Sequence, residues 1–263
     1  MFDLMLELSQ NQMMAPFTVV QEEEIDTRVD EMMGRDASMD GKVVGQGLAF
    51  SLGGRHYHVV SESGELDEEI REELLEAVES DWASELMLED EEMRDSLGSR
   101  EYEAEIVDRL EEIRNENEEQ FNDNANRRRH EVLGYFSEEV IPEVLQQAQI
   151  ELITSPADTL NSHTDQRISQ ERLESEEYAF EWIQDFPAIY THVNLTVERD
   201  IQAHRDIQPN DLNDIMALSV AIPYCDIVVT ENFWAHIASQ VEVDDLYNTK
   251  VVSDIDEIFE AFA

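Results

Sequence analysis

Lysine is nearly absent: Lys42 and Lys250 are the only two in 263 residues. Cysteine is scarcer still, with Cys225 alone, so no disulfide can form within the chain. A lone cysteine inside an apolar run reads as a small buried thiol. No apolar run is long enough to span a bilayer, since the longest, Ile215 to Tyr224, is short and contains Pro223. The first residues carry Asp3 and Glu7 where a secretory signal needs basic side chains. No membrane partner is expected, and a cytoplasmic location is.

Acid is what the chain has in excess. Asp and Glu number 63 against 17 Lys and Arg, a net charge of −46. Such self-repulsion strains a compact state in dilute salt. At ~1 M salt the screening length falls to ~3 Å and the repulsion becomes short-ranged. The acid runs through every segment instead of forming one tail, and with so little lysine it resembles the surface of haloarchaeal cytoplasmic proteins. Under such screening the global charge does not decide what a local site binds. Hydrophobic residues make up 41% of the chain, enough to supply a core.

Periodicity divides the chain into helices and a few short strands. Phe2, Leu4, Met5 and Leu8 predict a helix over residues 1 to 12. The run Pro16–Val20 reads as a short strand, followed by a helix from Gln21 to Met33. Residues 42 to 60 read as a hairpin turning at Gly53–Gly54. Its His56 and His58 share a face and could bind metal, although a polar sheet face is the simpler reading. Residues 65 to 150 are helical, with apolar stripes at Ile70, Leu74, Val78 and Trp82; at Tyr102, Ile106, Leu110 and Ile113; and at Leu133, Phe136, Val140, Val144 and Ala148. The one basic cluster, Arg127–Arg128–Arg129–His130, could touch phosphate, with pairing to nearby acids favoured. A loop over residues 154 to 166 precedes helical periodicity from Ile168 to Phe186. A further stripe follows Pro187 at Ile189, Val193, Val197 and Ile201.

Residues 209 to 234 carry the chemistry. Asn210 or Asp211 can cap a helix whose buried stripe is Ile215, Leu218 and Ala221 or Ile222, and Pro223 helps end it. Ile227–Val228–Val229 then has the length and composition of a buried parallel strand, with Thr230 and Glu231 at its carboxyl end. In open α/β sheets ligands bind at that end. An acid in the first turn of a helix and another at a strand end can converge there. Divalent Mg²⁺ or Mn²⁺ accepts such oxygen ligands.

The order Asp214–Ile215, Ala221, Pro223–Tyr224–Cys225–Asp226, then Val228–Val229–Thr230–Glu231 resembles the C-terminal half of a PIN-like domain. Tyr247 to Val252 would add the last strand, and Ile255, Ile258 and Phe259 a last apolar turn. The resemblance implies an α/β fold, a PIN-like parallel sheet flanked by helices. It also implies a Mg²⁺- or Mn²⁺-dependent endoribonuclease, often the toxin of a toxin–antitoxin pair. RNA, an antitoxin or another protein, and a homo-oligomeric copy are the implied partners. On this reading residues 1–33 and 187–263 form the core, and residues 34–186 are a large acidic helical insertion. The first strand of the family, which ends in a metal-binding Asp, has no counterpart in this chain. A start placed too late, or a truncated inactive copy, would each account for that, and the second makes a non-catalytic PIN-like or helical interaction protein the alternative.

The site residues so implied are Asp214, Glu231 and Glu24, with Asp211 and Asp226 as further metal ligands. Each also has a plain reading: Asp214 as a helix-start acid, Asp211 as a cap, Asp226 as a turn residue and Glu231 as a solvated strand end. Glu23 competes with Glu24. Trp234 and Tyr224 could stack on bases, although core packing is the simpler role. His204 could act as a general base or be an exposed helix-end residue.

Overall fold

The computed structural model describes residues 12–46, 107–115, 124–144, 146–147, 176–202, 205–254 and 256–257. These form a mixed α/β structure, mostly helical, with two small sheets. In chain order they are β1 (Gln12–Met14), α1 (Phe17–Met32), β2 (Val44–Gln46), α2 (107–115), α3 (Asn124–Tyr135), α4 (Glu176–Ile183), α5 (Pro187–Ile201), α6 (Asp211–Tyr224), β3 (Ile227–Val229), α7 (Asn232–Gln240), α8 (Val243–Tyr247) and β4 (Lys250–Val252). A π-helical turn, Phe136–Val140, continues α3.

The first difference from the sequence reading lies at Pro16–Val20. Instead of a strand, Phe17 to Val20 are the first turn of α1, and Pro16 is its extended N-cap. The amides of Val19 and Val20 both donate to the Pro16 carbonyl at 3.1 Å. Phe17, Val20, Glu24 and Ile25 fall on one helical face and are buried, so packing overrides the β preference of Val19 and Val20. The helix ends as a Schellman motif. Gly34 takes a positive φ, its amide donates to the Glu31 carbonyl at 3.0 Å, and the Arg35 amide donates to the Asp30 carbonyl at 2.9 Å. Gln12, expected in a helix, lies instead in β1, which pairs antiparallel with β2. The remainder of the expected N-terminal helix, the hairpin arm beyond residue 46 and its histidines lie outside the described residues.

Helix α5 lies at the centre of the described residues. Pro187 occupies its first turn, where a missing N–H costs nothing. From Ala188 to Asp200 its side chains are buried on nearly every face, as expected of a helix surrounded by others. It packs against α6, α3 and α1. One apolar cluster joins Ile25, Val29 and Met32 of α1 to Val132, Phe136 and Val140 around α3, and to Ile189, Leu195, Ile215 and Trp234. Phe136, Val140 and Val144 of the expected stripe are fully buried. The stripe on α2 fails at Ile113, which is exposed, whereas Arg114 turns inward.

Helix α6 and strand β3 follow the sequence reading, with Pro223 one residue inside the helix end and Cys225 already extended. Strand β3 is parallel, but its partner is β4, with Ile227 opposite Lys250 and Val229 opposite Val252. It has no pairing to Thr18–Val20, which are helical. Val228 is buried and Val229 is exposed, so one face of this pair is covered, not both. Among the described residues no helix is long and apolar enough to cross a membrane.

The Phe136 ring meets Trp182 edge-on at 5.3 Å and Phe186 at 5.9 Å in the middle of the core. Phe136→Ala is therefore expected to lower stability by ~3–5 kcal/mol, read as a lower denaturation midpoint in molar KCl.

Candidate functional site

The carboxyl end of β3 meets the amino ends of α6 and α7. Asp211 and Asp214 stand in the first turn of α6, and Glu231 is the residue before α7. Arg205, on the segment leading into α6, pairs with the first of them. Its Nη1 and Nη2 donate to Asp211 Oδ2 and Oδ1 at 2.6 and 2.8 Å, a bidentate pair. Its guanidinium carbon lies 3.9 Å from the Phe233 ring centre. The hydrogen bonds to Asp211 raise the Arg205 pKa, partial burial opposes them, and the charges of Asp211, Glu231 and Asp214 add to the rise.

Asp211 is almost wholly buried and also accepts the Gln208 amide at 2.9 Å. Its carboxylate reaches back to the loop. Asn210 holds the N-cap position without a side-chain cap bond. Asp214 accepts the indole Nε1–H of Trp234 at 3.1 Å. Trp234 is fully buried, so a core side chain fixes the orientation of a rim carboxylate. Glu231 is exposed.

Glu24 and Asp226 are elsewhere. Glu24 is 2% exposed and sits on the amino end of α5, where its Oε1 accepts the Ala188 amide at 2.6 Å and its Oε2 the Ile189 amide at 3.3 Å. The Tyr224 hydroxyl donates to the same Oε1 at 2.6 Å. Tyr224 ends α6 and Asp214 begins it, a rise of roughly 15 Å along the axis. Glu24 is thus bound at the opposite end of α6 from the rim acids. Glu23 pairs with Lys42 at 2.9 Å on the outside of α1. Asp226 is exposed at the start of β3, where its carbonyl accepts the Lys250 amide at 2.9 Å, at the far end of the strand from Glu231. His204 lies outside the described residues.

Burial pushes the Glu24 carboxyl up to about 7, while hydrogen bonds from Tyr224, Ala188 and Ile189 and the charge of Arg28 pull it down. Burial, followed by the charge of Glu24 and the hydrogen bond to it, raises the Tyr224 phenol well above its ordinary value. Tyr247 is raised in the same way, by burial and then by Glu24. Its hydroxyl donates to the Pro187 carbonyl at 3.4 Å, which closes the same junction.

Trp234 and Tyr224 therefore serve as hydrogen-bond donors to site-candidate carboxyls in addition to packing. The roles of Arg205 and Phe233 had no signal in spacing, because the loop that delivers Arg205 has no period. Among the described residues no group of three or more His, Cys, Asp and Glu side chains is arranged to hold a metal ion. No family model, curated protein or solved structure matches the chain.

The raised Glu24 pKa fixes a sign. In the unfolded chain the group loses its proton near 4.5, and in the folded chain near 7. Between those values the folded state holds the extra proton, so stability falls as pH rises, by on the order of 3 kcal/mol from this group. Below the window the group costs nothing, and above it the cost is complete. Glu24→Gln keeps an oxygen for the α5 amides and removes the ionisation. Its melting temperature relative to the parent is expected to rise between pH 4.5 and 7.5, measured in molar KCl.

Proposed function

We propose that the chain is a PIN-like, metal-dependent endoribonuclease of a halophile, acting in the cytoplasm at the rim formed by Asp211, Asp214 and Glu231. The observation that supports this reading is that Arg205, paired with Asp211, also feels the charges of Asp214 and Glu231 beside the carboxyl end of a parallel strand. That is where open α/β folds take ligands. A guanidinium beside carboxylates suits a phosphodiester with a hard divalent cation.

Asp214 and Glu231 would be the principal metal ligands. Mg²⁺ and Mn²⁺ are commonly held by one or two carboxylates together with substrate phosphate and water, and these two acids would supply donors of that kind. When bound, the ion would supply charge neutralisation and an activated water. The protein's own groups orient and screen. Trp234 holds Oδ2 of Asp214. Asp211 keeps Arg205 in place, and Arg205 lowers the repulsion among the acids. Release of one Arg205 nitrogen from Asp211 would free a donor for a phosphate oxygen. Glu24 is left out of the ligand set, because three hydrogen bonds commit its carboxyl to the amino end of α5 and to Tyr224.

A second reading, a non-catalytic PIN-like or helical interaction protein, is favoured by the closed bidentate pair at Arg205. With Asp211 already neutralised by a side chain, the rim needs no metal for its own stability. An antitoxin, another protein or a second copy of the chain would then be the ligand.

In molar KCl, Mn²⁺ is expected to perturb Trp234 fluorescence saturably, and the chain to cut single-stranded RNA. Asp214→Asn keeps an oxygen for the indole N–H, so the fold should persist while cleavage falls at least about 100-fold. Unchanged cleavage in that variant rejects the site. Neither Mn²⁺ binding nor cleavage in the parent favours the interaction protein.

A further inference from the structure

The guanidinium of Arg205 is held flat. Its central carbon lies 3.9 Å from the centre of the Phe233 ring. A guanidinium standing edge-on at that distance would push a nitrogen into the ring, because its C–N bonds are about 1.3 Å long, so the two planes stack. The bidentate pair with Asp211 lies in the guanidinium plane and fixes its rotation. Phe233 is braced in turn, its ring meeting Trp234 edge-on at 4.9 Å. Trp234 is fully buried and donates to Asp214. One run of contacts thus ties the stack to the acid proposed above as a metal ligand.

One face of this guanidinium is covered by Phe233, and the end bearing Nη1 and Nη2 is covered by Asp211. The Arg205 side chain is nevertheless 25% exposed, and Phe233 is only partly buried. Arg205 Nε makes no hydrogen bond among the described residues and is not an enclosed donor, so solvent reaches the group from the side that Phe233 leaves open. A flat cation backed by an aromatic ring on one face and open on the other is a stacking platform. Its surroundings select what stacks there. The charges of Asp214 and Glu231 act on Arg205 and oppose an anion settling on its face. A neutral aromatic ring meets no such opposition. Strong salt favours the same choice. With a screening length of ~3 Å at ~1 M salt, phosphate contacts add little to RNA affinity, whereas stacking does not depend on counterion release.

We propose that the outer face of the Arg205–Phe233 stack is a nucleobase subsite, which seats one base of single-stranded RNA beside Asp214 and prefers a purine. This subsite rests on the reading of the rim as an RNA site. A purine covers more of the guanidinium plane than a pyrimidine does, which sets the preference. Stacking leaves the pair between Arg205 and Asp211 intact. Arg205 and Phe233 then determine which nucleotide lies next to the acids.

The test uses the full chain in molar KCl with EDTA, so that no divalent ion contributes and no RNA is cut. Two short end-labelled oligouridylates are compared, one with fluorescent aminopurine at its central position and one with an abasic sugar there. Saturable quenching of the aminopurine is expected, with affinity at least about 10-fold above that of the abasic strand by label anisotropy. Arg205→Lys keeps the charge and loses the plane, and Phe233→Leu removes the backing ring. Each is expected to erase the difference between the two strands, whereas Phe233→Tyr keeps it. Equal affinity of the two strands for the parent overturns the proposal, whatever the variants do. So does an undiminished difference in a folded Arg205→Lys variant, or the absence of binding by either strand, which would leave the platform to an aromatic side chain of a partner protein. Cleavage with Mn²⁺ but no base preference rejects the subsite alone. Base preference without cleavage rejects the nuclease and keeps the subsite.

Discussion

A single carboxyl, that of Glu24, ties the two ends of the described chain together. It is carried by α1, rests on the first amides of α5 and receives the hydroxyl of the last residue of α6. The positive end of a helix dipole is one of the few places where a buried acid is tolerated. Desolvation still dominates and keeps its pKa raised. From this junction follow the angle of α1 across α5 and the placement of Tyr224. The orientation of α6 then directs its first turn, with Asp211 and Asp214, toward the end of β3. The acid that anchors the fold is thereby removed from the rim that the other acids form.

Charge is used differently inside and outside. The chain has only 17 basic side chains against 63 acids. Several of the arginines are drawn into the interior, where Arg127, Arg199 and Arg114 are each less than a tenth exposed. Exposed ion pairs contribute little even in dilute salt. Buried pairs are screened far less, so an acidic protein in strong salt gains more from arginine placed within. Arg205 belongs to the same pattern at the border between core and solvent, stacked on Phe233 and paired with Asp211.

What could be read in the sequence was what is local. The helix from Asp211 to Tyr224, its end at Pro223 and the strand at Ile227–Val229 follow from a short apolar run beside a proline, whereas the expected side-chain cap at Asn210 or Asp211 does not form. The stripe Phe136, Val140 and Val144 follows from a four-residue period. Pro16–Val20 misled because proline and β-branched residues suit both a strand and the start of a helix, and only the burial of Phe17 and Val20 decides between them. Once α1 is extended to Phe17, its register also separates Glu23 from Glu24, since Glu24 follows Phe17 by seven residues and Val20 by four. The partners of Glu24 lie 164 and 200 positions away, beyond any local pattern. The same holds for Arg114, whose inward turn depends on Asp200 and the Arg205 carbonyl.

The account depends on contact between Glu24 and Tyr224, and a double-mutant cycle measures that contact most directly. Stabilities of the parent, Glu24→Ala, Tyr224→Phe and the double variant would be compared by denaturant unfolding in molar KCl above pH 7.5. A coupling of about 1–3 kcal/mol is expected for a buried hydrogen bond to a charged group. Additivity to within about 0.5 kcal/mol would contradict the junction, and with it the separation of Glu24 from the acids of the rim.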